Sequence, residues 1–196
     1  MEKMKVRELM RPIEEFSRIS NEATFMEAVD ALETADQVFK LGKVPERILL
    51  VYDGRPKIVG KISPMDVVKG LEPNYSNMER IESHPYYPLA KTSIESMKKE
   101  FRLWHQPLAE LWKKAYRIKI YDFVKMPTPD HMVKIDDRID AAFHLFVVGR
   151  HGSLFVQDAQ DIVGLILFSD VYNKIKEIMR ASPLPTSPSK VVLPWH

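Results

Sequence analysis

The chain of 196 residues contains no cysteine, which excludes disulfides and thiolate-based metal or redox chemistry. It has no apolar run approaching the length of a membrane span, and its opening, "MEKMKVRELMRP", lacks the apolar centre of a secretory leader. The expected setting is therefore soluble and cytoplasmic. A net charge of +2 gives no argument for a nucleic-acid partner. Catalytic signatures are missing too: there is no P-loop, Rossmann fingerprint or nucleophile elbow, and "LGK" at 41–43 lacks the glycine a Walker motif needs. The six histidines show no H-x-H or H-E-x-x-H spacing. A non-catalytic protein is expected.

What the sequence does contain is an internal repeat. "VRELMRP…ATFMEAVDAL…RILLVYDGRPKIVGKISPMDVVKGL" is matched by "IYDFVKMPT…RIDAAFHLF…SLFVQDAQDIVGLILFSDVYNKI". Each copy opens on Met and Pro, continues through an apolar-periodic helix (around Phe25–Leu32 and Ile139–Phe146), then two short apolar strands and a closing helix. Gly60 and Gly164 lie 104 residues apart, as do Asp66 and Asp170, whereas Ala28 and Ala142 lie 114 apart. The first copy thus carries about ten extra residues near "ADQVFKLGKVPE". Two copies of a βαββα unit predict an α/β (α+β) protein, because two helices cover one face of each small sheet and the other must bury against its sister. The seam between the copies is then the natural place for a ligand.

The strand-to-helix turn "GKISPMD" at 60–66 has an ordinary explanation: Ser63 is a good N-cap, Pro64 suits the first helical position, and Asp66 at N3 complements the helix dipole. The sister stretch "GLILFSD" replaces Ser63 with Leu167 yet keeps Asp170, with Ser169 as an alternative cap. Capping alone gives the aspartate less reason to recur.

Taken together, "LM-x-P", the helix with "EA", the strand ending in Asp and G-x-x-S-x-x-D, found twice in order, resemble a tandem pair of cystathionine β-synthase (CBS) domains, the Bateman module. The resemblance covers residues 4–72 and 117–180, leaving a 73–116 linker and helical insertion and a Pro-rich 181–196 tail. It implies a regulatory module that binds AMP, ADP, ATP or S-adenosylmethionine, assembles as a homodimer and acts on a separate regulated protein. By the same resemblance Asp66 would hold ribose hydroxyls, Ser63 would lie near the sugar and phosphates, and Ile62 would line the adenine slot, with Lys61 a weaker choice on the opposite strand face. In the second copy Asp170 is kept without its hydroxyl partner, so that half either binds through the ribose contact alone or is structural. Arg150 and His151, in "GRHGS", either reach a phosphate or form a solvated loop. One competent site, centred on the first copy, is expected.

In the 73–116 segment, Ile94, Met97, Phe101, Trp104, Leu108, Leu111 and Ala115 recur at steps of three and four, predicting an amphipathic helix over 92–116 with a kink at Pro107. Three roles compete: packing on the pair or a partner subunit, a basic surface for membrane or nucleic acid, and an output element that reports ligand state. A ligand-free dimeric scaffold displaying this helix is the alternative to the sensor.

Overall fold

The computed structural model describes residues 4–42, 44, 46–55, 57–75, 99, 101–124 and 126–181. Two sheets dominate. The first has strand order β2 (Ser17–Ser20), β3 (Leu49–Tyr52), β4 (Ile58–Ile62); the second is ordered β1 (Arg11–Pro12), β7 (Asp161–Leu167), β6 (Ser153–Asp158), β5 (Met132–Lys134). In each copy a parallel pair (β2 with β3, β5 with β6) adjoins an antiparallel hairpin (β3 with β4, β6 with β7). Both hairpins carry the same bulge: Val59 and Val163, 104 residues apart, are each the unpaired extra residue. The repeat read in the sequence is therefore repeated down to a local irregularity.

Helix α1 (Phe25–Lys40) buries Ala28, Leu32 and Ala35 against Leu49, Val51 and Ile62 of the first sheet, and α2 (Pro64–Leu71) adds Val67 to the same cluster. Helices α5 (Ile139–Gly149) and α6 (Phe168–Ala181) do the same for the second sheet, around Ala142, Phe146, Val156 and Ile166. The inner faces meet in a third cluster, where Leu50 and Ile58 of the first sheet join Phe155, Leu165 and Leu167 of the second. This is the expected sheet-to-sheet packing. The inserted residues of the first copy go partly into its helix: α1 has 16 residues and α5 has 11.

The entry segments cross between the halves. Val6 and Arg7 donate backbone hydrogen bonds to Asp137 and Ile135, and Ile139 donates to Met4. Reciprocally, Ile120 and Tyr121 donate to Ala23 and Asn21, and Phe25 donates to Ile118. Val6 is buried in the second core and Ile120, in the one-turn helix α4 (Ile120–Phe123), in the first. Sequence repeat and spatial half thus differ, and each half is closed by the other's first residues.

Within the insertion, the structure differs from one helix over 92–116. Phe101–Trp104 forms turns, with Arg102 and Trp104 in the left-handed region (φ 52° and 54°), and helix α3 spans only Leu108–Ala115 behind Pro107. A proline that lacks an amide hydrogen and clashes with a preceding turn starts a helix more readily than it continues one. Residues 92–98 and the tail beyond 181 lie outside the described residues.

Candidate functional site

A cavity of about 310 Å³ opens between the halves beside β4 and α2. Its charged and polar walls are Lys61, Asp66, Lys69, Thr128 and His131, and its apolar walls include Phe123, Val124, Met126, Pro127 and Phe155. The crossing of the entry segments creates it. In the second half, β1 zips onto β7, with Arg11 opposite Leu165 and Pro12 opposite Gly164. The sister residues 126–128 make no strand pairing with β4 among the described residues, and the gap they leave is the cavity.

Asp66 caps α2: its Oδ2 accepts from the Ser63 amide at 2.8 Å and the Ser63 hydroxyl at 2.6 Å. Its Oδ1 has no hydrogen-bond partner among the described residues. The same box occurs at α1, where Glu27 accepts from the amide and hydroxyl of Thr24. Ser63 is thus committed to the cap and is absent from the cavity wall, while Asp66 serves the cap with one oxygen and lines the cavity.

The order expected for β4 is reversed. Ile62 is fully buried in the helix-facing core, so its side chain does not line the cavity. Lys61 lies opposite Leu50, on the face that looks into the seam, and lines the cavity. Because the cavity is at the seam, the seam-facing parity reaches it. The Lys61 ammonium donates to the carbonyl (2.8 Å) and hydroxyl (2.6 Å) of Ser153 and lies 5.0 Å from the Phe155 ring centre, joining the two halves. Burial pushes its pKa down to about 8, against the opposing pull of Asp66.

Asp170 is in a different situation. Arg11 of the crossed segment grips it with two hydrogen bonds, Nε to Oδ2 at 2.5 Å and Nη2 to Oδ1 at 2.8 Å. Hydrogen bonding to Asp170, with Glu15 assisting, raises the guanidinium pKa further despite some burial. Leu165 and Leu167 stand where the first half has Lys61 and Ser63, and both are fully buried in the seam. Gly164 is needed here: an added Cβ would lie 2.2 Å from the Arg11 carbonyl oxygen. The second cleft is filled by its own chain.

Arg150 is exposed, caps α5 in the left-handed conformation (φ 52°) and does not line the cavity. His151 folds back beside His131, with ring centres 4.1 Å apart. Burial, and the nearby His131 and Lys61, lower its pKa, with Asp130 opposing. His131, Lys69, Phe155 and Arg11 were not singled out from the sequence as site residues. Only the crossing of the entry segments brings Arg11 to Asp170 and Phe123, Val124, residues 126–128 and His131 to the cavity beside Asp66. On α3, Lys113 is paired with Glu110 at 2.8 Å and Lys114 with Gln106 at 2.6 Å, which spends part of the expected basic face.

No family model and no curated protein sequence matches the chain. Among solved structures it is similar to CBSX2, a CBS-pair protein of Arabidopsis thaliana, at 18% identity over 91% of this chain and 98% of that one, with a TM-score of 0.54. The chain has the fold of a tandem CBS pair. The CBS pair of CBSX2 in complex with AMP aligns equally well (16% identity, 90% of this chain, 98% of that one, TM-score 0.54). The cytosolic domain of the Mg2+ channel MgtE in complex with ATP is also similar, at 14% identity over 88% of this chain and 49% of that one, with a TM-score of 0.52. Among the described residues, no helix is long and apolar enough to cross a membrane.

Proposed function

We propose that this chain is a regulatory module that senses an adenine nucleotide, or a related adenosyl ligand, in the cavity beside Asp66. The observation that carries the reading is the unpartnered Asp66 Oδ1 in a cavity that also holds two lysines and an apolar wall. A carboxylate accepts from vicinal ribose hydroxyls, Lys61 and Lys69 face the phosphate charge, and Phe123, Val124 and Met126 offer a surface for the base. The complexes of similar CBS pairs with AMP and with ATP support the ligand class. At about 310 Å³ the cavity is at the small end of ligand pockets (~300–1,000 Å³), which favours a monophosphate over longer phosphate chains. Because its walls come from both halves, a ligand would favour the relative orientation that closes on it, a population shift that a homodimer or a regulated partner could read. No step of covalent chemistry is assigned to the site.

The test is thermal stabilisation by AMP, ADP, ATP and S-adenosylmethionine. Saturable stabilisation that Asp66→Ala removes supports the sensor. No response to any of the four refutes it and favours the ligand-free scaffold. That alternative draws on α3 and its C-cap, where Leu108 and Tyr116 are each 62% exposed and Trp112 also reaches solvent.

A further inference from the structure

Asp130, His131 and His151 stand together although 20 residues separate the two histidines, a spacing that hides them from any local ligand motif. His131 ends the 3-10 turn Pro129–His131 that leads into β5, and His151 follows the left-handed Arg150 that ends α5. One ligand atom from each of the three residues lies within 4.8 Å of the others. Thr128 Oγ1 is 2.8 Å from His131 Nδ1 and Asp130 Oδ2 is 3.4 Å from it. The Nε2 atom of His151 is buried without a hydrogen-bond partner. An orphaned, buried ring nitrogen is costly and calls for a missing partner.

The absence of a side chain at Gly149 leaves room for that ring. A Cβ added to Gly149 would lie 2.3 Å from His151 Nε2, so any side chain at 149 would displace the ring. The chemistry of the set is two imidazoles and one carboxylate, a borderline-soft donor group that suits Zn2+ and its neighbours rather than Ca2+ or Mg2+. Ligand atoms around such an ion sit roughly 3.3 Å apart for metal bonds of about 2.0–2.1 Å. The contraction from 4.8 Å is within reach of side-chain rotation, since the Asp130 and His131 side chains are 64% and 38% exposed. His131 also lines the cavity, so a position left open on the ion would face that space.

We propose that Asp130, His131 and His151 form a binding site for a divalent transition metal of the Zn2+ class at the edge of the cavity. It stands independently of the nucleotide reading, because its ligands and its test require no nucleotide.

The experiment is titration of the nucleotide-free full chain with Co2+, followed by its visible d–d absorption, with Zn2+ as competitor. One saturable ion per chain, displaced by Zn2+, is expected. Affinity should fall at least tenfold in His131→Ala and in His151→Ala, as it does when a metal loses a ligand or its support. Gly149→Ala, which leaves all three ligands in place but pushes His151 aside, should weaken binding as well. His144→Ala, at an exposed position on α5, should leave it unchanged. Circular dichroism checks folding, and His151→Gln replaces any alanine variant that fails to fold. Absence of saturable Co2+ binding up to millimolar concentration overturns the site, as does binding unchanged in the His131→Ala/His151→Ala double variant.

Discussion

Arg11 and Asp170, 159 residues apart in the chain, meet through two hydrogen bonds of 2.5 and 2.8 Å, and this pairing makes the two halves unequal. The corresponding aspartate of the first half, Asp66, faces an open cavity. Arg11→Ala should therefore do two things. It should destabilise the fold by about 1–2 kcal/mol, the loss of a partly exposed charge-assisted pair, measured by denaturant unfolding. It should also leave nucleotide binding at the first cleft intact, since Arg11 does not line that cavity. Loss of binding in Arg11→Ala would mean that the wrong cleft has been assigned.

Asp66 caps α2 with one oxygen and is proposed to bind ligand with the other, so two substitutions divide the two roles. Asp66→Asn keeps an oxygen to accept from Ser63 and should cost well under ~1 kcal/mol in stability, whereas Asp66→Ala removes the cap and should cost about 1 kcal/mol. Both should abolish stabilisation by nucleotide. Parallel unfolding and thermal-shift measurements on the pair check this; a fully ligand-responsive Asp66→Ala would reduce Asp66 to a cap.

Lys61 gives a pH signature. Its folded-state pKa of about 8 lies below the ordinary 10.5, so between those values the unfolded chain binds more protons and stability contributed by this group rises with pH. Below about 8 both states are protonated and the contribution is flat. Wild type should therefore gain on Lys61→Met, on the order of 1–3 kcal/mol, between pH 8 and 10. Denaturant unfolding of both proteins across that range measures it. A constant difference would show that Lys61 is as well solvated folded as unfolded.

Gly164→Ala should destabilise by about 1–3 kcal/mol, because the new methyl meets the Arg11 carbonyl at 2.2 Å and must push β1 away from β7. Hydrogen exchange should report faster exchange in residues 4–12 and at Asp170's helix start. Neutral stability would contradict the crossed entry.

The repeat is legible because it is written in local patterns: the cap at Ser63, the strand pairs around Gly60 and Gly164, and the apolar stripes of α1 and α5 all depend on neighbours in sequence. Leu167 in place of Ser63 sits in the half whose cleft the chain itself fills, buried in the seam beside the Arg11–Asp170 pair. What the pattern could not carry was which half each entry segment joins, since a two-residue strand such as Arg11–Pro12 has no periodicity to specify its partner. The Arg11–Asp170 pair and the cavity at 126–128 both follow from that long-range choice. The parity of β4 failed for a related reason. Alternation assigns Lys61 and Ile62 to opposite faces, but only the location of the cavity says which of them lines it. The 92–116 stripe was misread where Pro107 and the left-handed Arg102 and Trp104 override an apolar periodicity.

The most direct measurement is the stoichiometry of AMP binding by calorimetry on wild type, Asp66→Ala and Asp170→Ala. A sensor confined to the first cleft should show one site per chain, lost in Asp66→Ala and retained in Asp170→Ala. Two sites per chain, or a single site lost in Asp170→Ala and kept in Asp66→Ala, would contradict it.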